Sequence, residues 1–339
     1  ALLAVASGCF GASGSELRRQ RQALEALEAD PPATAAPFAG AAALERAALV
    51  EEVLRRNPTI AAARFAWRAA LARYPQETAL PDPTFAYSVG PRTFGSSTVP
   101  QEAHRFDAGQ AIPFPGKLSL RVAAALAEAE AAALDYDAVR LRLATMASLL
   151  YDEYWLLARA AAINDEHLAL VRELRSIATA RYESGVAEQQ DPLRAEVEET
   201  ALLHRAVEIA AARRVTAQQL ALLLHRRNGA DLPPPPAVVT PVEAPADDEV
   251  AALESALAER PELRAAAARV RAREAGQELA LRGYFPDLRL MGSYDRSWDA
   301  TDMRPMVGVE IEVPLQLARR RAAVEQARAE LAQARLERA

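Results

Sequence analysis

The sequence predicts a mainly α-helical protein with a few short β-strands, built from one helix–strand–strand–helix unit that occurs twice. Three observations carry this reading. From Leu118 an Ala-, Leu-, Arg- and Glu-rich pattern runs to Gly185 without a glycine or proline, which is roughly 100 Å of helix at about 1.5 Å per residue. At Thr84–Val89 and Val307–Val313 the apolar period changes to strict alternation, the mark of a half-buried strand. Proline landmarks also recur in one order: Pro261 follows Pro58 by 203 residues, Pro286 follows Pro81 by 205, and Pro314 follows Pro113 by 201. Near-constant offsets of that length describe a duplicated domain rather than a short solenoid repeat.

The totals suit this architecture. Of 339 residues, 51% are hydrophobic but only 6% aromatic, which favours long helices packed on one another over a core built around large rings. A net charge of −6 argues against nucleic acid as a partner. Cys9 is the only cysteine, so no intrachain disulfide or cysteine metal cluster can form. His104, His167, His204 and His225 are scattered, with no pair at the i, i+4 spacing of a zinc motif. With no nucleophile elbow, phosphate loop or metal motif in view, neither catalysis nor a cofactor is expected. No apolar run approaches the ~20 residues of a membrane helix, so any crossing of a bilayer falls to strands.

Taken in order, residues 1–9 read as the remnant of a secretion signal. Ser7-Gly8-Cys9 after a short apolar run resembles the end of a bacterial lipoprotein signal, which would make Cys9 a lipidation site. The plainer alternative is an ordinary signal with an incidental cysteine. Residues 10–42 form an extended arm, helical at most over Ser15–Glu28. The first repeat occupies 43–231. Its opening helix is kinked or broken at Asn57-Pro58, its strands cover about 84–89 and 104–112, and its long helical hairpin covers about 117–227. Gly185 turns that hairpin, and Asp191-Pro192 opens the returning helix with Asp191 as N-cap. Pro233 to Pro236 mark a linker over 232–246, too poor in donors for helix. The second repeat, 247–339, corresponds to the first only as far as about residue 138, so the expectation is a unit truncated in its last helix.

The strands have two chemically different faces. Phe85, Tyr87, Val89, Leu288, Leu290, Tyr294, Val307, Val309, Ile311 and Val313 alternate onto one; Arg289, Ser293, Gly308, Glu310 and Glu312 onto the other. Apolar-out and polar-in describes a lipid-facing barrel with a wet lumen. Four strands cannot close such a barrel, whose smallest forms have about eight, whereas three copies supply twelve.

Particular wording then resembles a known family. Asn57-Pro58, Leu80-Pro81-Asp82-Pro83, Gln110-Ala111-Ile112-Pro113-Phe114-Pro115-Gly116-Lys117, Arg181-Tyr182-Glu183-Ser184-Gly185-Val186 and Asp191-Pro192-Leu193-Arg194-Ala195-Glu196 are similar to TolC-type outer-membrane efflux proteins, from about 43 to 339. The Ile-Pro-Phe-Pro-Gly-Lys segment is nearest to the heavy-metal cation branch. The resemblance implies a homotrimer in outer-membrane lipid, with a 12-strand β-barrel on an α-helical periplasmic barrel. It also implies a periplasmic adapter protein docked at the hairpin tips and an inner-membrane resistance-nodulation-division transporter as the pump.

On this reading Gly185 and Val186 form the adapter-docking tip, although Gly185 would also be needed simply to turn the chain. Arg289, Glu310 and Glu312 face the lumen. The glutamates either form a cation-favouring ring or merely wet the wall. Tyr151, Tyr154 and Trp155 are helix-packing aromatics, and Lys117 is an interfacial anchor. Rival readings are a periplasmic adapter, which carries one hairpin rather than a duplicated unit, and a structural coiled-coil protein, which leaves the paired strands unexplained.

Overall fold

The computed structural model of the chain describes residues 10–28, 38, 41–90, 104–226, 232–238, 249–298 and 301–339. Its elements in order are α1 (Phe10–Glu28), α2 (Arg46–Arg56), α3 (Pro58–Thr78), β1 (Thr84–Val89), β2 (His104–Ile112), α4 (Lys117–Glu183), α5 (Gln190–Leu223), α6 (Glu249–Glu259), α7 (Pro261–Arg282), β3 (Asp287–Asp295), a 3-10 turn (Thr301–Met303), β4 (Pro305–Glu312) and α8 (Leu317–Arg338). Among the described residues, no helix is long and apolar enough to cross a membrane.

The chain divides into two compact units. One comprises Ala1–Glu28, Arg64–Asp135 and Leu253–Ala339; the other comprises Ala29–Ala63 and Tyr136–Ala252. In the first unit the four strands form one antiparallel sheet in the order β1-β2-β3-β4. Leu17 and Leu24 of α1 are buried with Trp67, Leu71 and Tyr74 of α3 and with Val122 and Ala129 of α4. The helix that the sequence allows over Ser15–Glu28 is formed and begins earlier, at Phe10. Leu17, Gln20 and Leu24 lie on one face at helical spacing, and Gln20 Oε1 accepts a 3.4 Å hydrogen bond from the Trp67 indole. Burying a leucine contributes about 1.5–3 kcal/mol, and packing of one apolar face is the main source of stability for such a helix. Along α4 and α7, buried alanines (Ala125, Ala129, Ala131, Ala265, Ala268 and Ala272) stand where larger residues would hold neighbouring helices apart. Arg271 of α7 pairs with Glu130 of α4 at 2.7 Å, and Arg335 of α8 with Glu274 of α7 at 2.9 Å.

In the second unit the core gathers Leu44, Leu49, Val53, Leu143, Ala147, Tyr151, Tyr154, Leu220, Leu224 and Leu232. Tyr151 packs as the sequence suggests, while Tyr154 and Trp155 also hold the described part of the proline linker. The Tyr154 hydroxyl donates to Pro233 O at 3.2 Å and the Trp155 indole to Pro236 O at 2.9 Å. The Leu44 N–H donates to Pro234 O at 2.9 Å, so prolines that have no N–H to offer serve as acceptors.

Asn57-Pro58 is a break, not a kink: α2 ends at Arg56 and α3 begins at Pro58. Asn57 is extended (φ −68°, ψ 121°), as a residue before proline prefers. Its buried side chain accepts the Thr59 N–H at 3.0 Å and donates to Leu223 O at 3.0 Å. Arg260 repeats the backbone break before Pro261 (φ −57°, ψ 121°) without a side-chain cap. The α5 start departs from expectation. Gln189, in helical conformation, occupies the N-cap with no side-chain bond, and Asp191 lies inside the first turn. The Asp191 N–H already bonds Glu188 O at 3.1 Å, which continues the turn back past the aspartate. Its charge acts there on the helix dipole instead of as a cap.

Asn57→Ala removes a cap and leaves Leu223 O without its side-chain donor, and should cost about 1–2 kcal/mol. Arg260→Ala, with no such bonds, should cost little. Thermal unfolding followed by the helical circular-dichroism signal distinguishes the two, and equal costs would contradict the assignment.

Candidate functional site

Strand alternation becomes a surface property only if neighbouring strands are in register. Here they are. Phe85 stands opposite Ala108, and Tyr87 opposite Phe106, which in turn is opposite Tyr294. Ile112 is opposite Leu288, and Leu288 is opposite Ile311; Leu290 lies between Gln110 and Val309. The residues Phe85, Tyr87, Val89, Leu288, Leu290, Tyr294, Val307, Val309 and Ile311 thus share one face, interrupted by His104 and Gln110. Val313 lies beyond the end of β4. Aromatic contacts join strands on this face: the Tyr87 and Phe106 rings are 5.0 Å apart, and the Tyr87 hydroxyl is 2.7 Å from His104 Nδ1. These large side chains remain exposed within one chain, Phe85 and Val307 by 80% and 90%, so among the described residues no protein core covers that side of the sheet.

The opposite face is polar. Arg289 is directly across from Glu310, with Nε and Oε2 3.8 Å apart. Arg105 is across from Asp295 and pairs with Asp107 at 2.9 Å. Glu312 is across from Asp287. Glu310 is therefore a partly compensated charge.

Where β2 passes into α4, the segment Phe114-Pro115-Gly116-Lys117 meets Arg282, Phe285 and Asp287 from the second repeat. The Phe114 and Phe285 rings stack with centroids 4.7 Å apart. Asp287 Oδ1 accepts the Phe114 N–H at 2.7 Å and the Lys117 ammonium at 2.8 Å, and the same ammonium donates to Phe285 O at 2.9 Å. Lys117 is only 8% exposed at its side chain. The expectation of an interfacial anchor is corrected here: the ammonium turns inward, because a carboxylate and a carbonyl replace its water. Gly116 takes φ +88°, and Arg282 lies against it with its guanidinium bonded to Pro115 O at 2.7 Å. Arg282 and Phe285 were not singled out from the sequence, and Asp287 only as the neighbour of Pro286 where the helix ends. Their only signal was position, beside the landmark Pro286.

At the far end of α4, Gly185 has φ +75°. Its N–H bonds Tyr182 O and the Val186 N–H bonds Arg181 O, both at 2.9 Å. This is the double closure of a helix C-terminus by a left-handed glycine. Among the described residues a Cβ on Gly185 would meet nothing within 4 Å, and Val186 is 68% exposed. Below the turn, Arg172 and Arg175 of α4 each donate to Glu199 of α5 at 2.9 Å. The hydrogen bond from Arg172, then that from Arg175, hold the Glu199 carboxyl below its usual range. Cys9 lies outside the described residues.

Alanine at either positive-φ glycine should cost about 1–2 kcal/mol of backbone strain. Gly116→Ala should cost about 1 kcal/mol more, because its Cβ would fall 1.5 Å from Arg282 Nη1 and drive that flexible group off Pro115 O. Equal thermal destabilisation by Gly116→Ala and Gly185→Ala would contradict the packing described at the junction.

Comparison with known proteins matches the chain to the family described as outer membrane efflux protein, over residues 49–225 and 252–339. No curated protein matches the sequence. Among solved structures the fold is similar to the outer-membrane channel OprN, with a TM-score of 0.69 and 22% identity, covering 91% of this chain and 75% of that one. It is similar to CusC at a TM-score of 0.68 and 20% identity, covering 86% of this chain and 71% of that one. It is also similar to VceC from Vibrio cholerae, at a TM-score of 0.66 and 20% identity, covering 86% of this chain and 74% of that one. With the family match extending over most of its length and the duplicated TolC-like fold in place, the chain belongs to the outer membrane efflux protein family.

Proposed function

We propose that three copies of this chain close their sheets into one barrel and serve as the passive exit duct of a tripartite efflux pump. The observation that carries this reading is the register of the sheet. Four strands present a continuous apolar face backed by a polar one, and among the described residues β1 and β4 each have only one paired neighbour. A sheet edge exposed to hydrocarbon is untenable, because its N–H and C=O groups find no partner there. Membership of the family places the protein in the outer membrane. Three four-stranded sheets give the twelve strands of a closed barrel.

In this arrangement Phe85, Tyr87, Val89, Leu288, Leu290, Tyr294, Val309 and Ile311 face lipid, and Arg289, Glu310 and Glu312 line a water-filled lumen. The paired Arg289 and Glu310 make that wall wet without making it strongly selective. The helical part extends into the periplasm, where Gly185 and Val186 meet an adapter protein that links the duct to an inner-membrane transporter of the resistance-nodulation-division type. The cargo is heavy-metal cations, a reading supported by the resemblance of Ile112-Pro113-Phe114-Pro115-Gly116-Lys117 to that branch. Lipid on Cys9 would add a second hold on the membrane. What favours a docking role at Gly185, beyond its turn, is the open space around it and the exposed valine beside it.

One complementation experiment addresses cargo and docking together. Cells lacking the protein should become sensitive to heavy-metal salts, and the wild-type chain should restore resistance. Asparagine tolerates a left-handed conformation, so Gly185→Asn should preserve the turn and the assembled trimer yet fail to restore resistance. Full restoration by this variant would overturn the docking role, and sensitivity confined to organic drugs would overturn the metal cargo.

A further inference from the structure

The two β-hairpins are superimposable in register, and this fixes how a second copy must meet the first. The landmarks place β3 205 residues after β1 and β4 201 residues after β2. Applied to the observed pairs, these offsets carry Thr84–Gly109 onto Arg289–Glu310 and Phe85–Ala108 onto Leu290–Val309. Both products are pairs seen in the second hairpin. The seam between β2 and β3 is therefore an internal template for a seam between β4 and the β1 of another copy. The same offsets carry Phe106–Tyr294, Ala108–Gly292 and Gln110–Leu290 onto Val307–Val89, Val309–Tyr87 and Ile311–Phe85.

Two independent features agree with this transfer. The first is the direction of the backbone groups. The Arg296 N–H bonds His104 O and the Asp295 N–H bonds Arg304 O, each at 2.9 Å. Strand alternation then turns the main-chain groups of Phe85, Tyr87 and Val89 away from β2, and those of Val307, Val309 and Ile311 away from β3. These are the residues that the transferred register pairs. Pro305 occupies an outward position of the same β4 edge, where its missing N–H breaks no ladder bond within the chain. The second feature is the junction below the sheet. The offsets carry the stacked Phe114–Phe285 pair onto Leu315 and Leu80, which are 82% and 48% exposed in the single chain. They carry Lys117–Asp287 onto Ala318 and Asp82, so the seam between copies keeps the apolar contact and loses the ion pair.

We infer the register in which the β4 edge of one copy meets the β1 edge of the next when the barrel closes: Val307 opposite Val89, Val309 opposite Tyr87 and Ile311 opposite Phe85, with Leu315 packed on Leu80. This rests on the reading of the chain as a multi-copy barrel and adds the register and the contacts of its seam.

Cysteine cross-linking in the full-length protein, in membranes and in a Cys9→Ser background, tests it. Bonded pairs in an antiparallel ladder hold their Cα atoms about 5.5 Å apart, within reach of a disulfide. Within one chain β1 and β4 lie three strand spacings apart, about 14 Å, which is out of reach. On mild oxidation the Tyr87→Cys/Val309→Cys variant should give reducible multimers. The slipped combinations Phe85→Cys/Val309→Cys and Val89→Cys/Val309→Cys should remain uncrosslinked. Cross-linking of a slipped pair in a protein that still has trimer mass in detergent would overturn the register and leave the barrel reading standing. Monomer mass with no cross-link from any pair would overturn both.

Discussion

The structure depends on one constraint: every strand edge must find a hydrogen-bonding partner. Each repeat makes only a two-stranded hairpin, a form that is marginal by itself. Pairing of β2 with β3 removes one edge from each hairpin and turns two marginal ribbons into one four-stranded sheet. The join is reinforced where the strands meet the helices. There Lys117, Phe114 and Arg282 connect to Asp287, Phe285 and Pro115, so that residues some 170 positions apart act as neighbours. Duplication thus does more than repeat a motif; it supplies the partner that a single copy lacks.

The helical part follows a different economy. With few aromatics, helix contact is made through alanines and short aliphatic rows, and α4 reaches 67 residues without a breaker. Its stability is distributed rather than centred on one core. Stops are placed where the backbone demands them: an extended Asn57 before Pro58, and a left-handed Gly185 after Glu183. Pairing of Glu199 with two arginines holds the helices together near the turn, where apolar burial is sparse.

Much of this was legible in the sequence because the signals are local. Proline fixes φ and removes a donor wherever it stands, so the landmarks around Pro58, Pro81 and Pro113 and their later counterparts could be read directly. Alternation of Phe85, Tyr87 and Val89, or of Val307, Val309 and Ile311, needs no tertiary knowledge either. The misreadings share a cause. Lys117 looked like an interfacial lysine because its partners Phe285 and Asp287 are distant in sequence. The N-terminal helix was legible over Ser15–Glu28 but its packing was not, because Leu17 and Leu24 meet Trp67 and Leu71, which are distant in sequence. Asp191 looked like a cap because nothing local announces that the preceding turn continues through Glu188.

The central claim is that the two faces of the sheet meet lipid and water respectively. Spin labels placed singly along β3 and β4 of the full-length protein in lipid bilayers test it directly, through collision with oxygen and with a water-soluble nickel complex. Oxygen accessibility should peak at Leu288, Leu290, Val309 and Ile311, and nickel accessibility at Arg289, Ser293, Gly308 and Glu310, with a period of two. Absence of that alternation, or its inversion, would contradict the account.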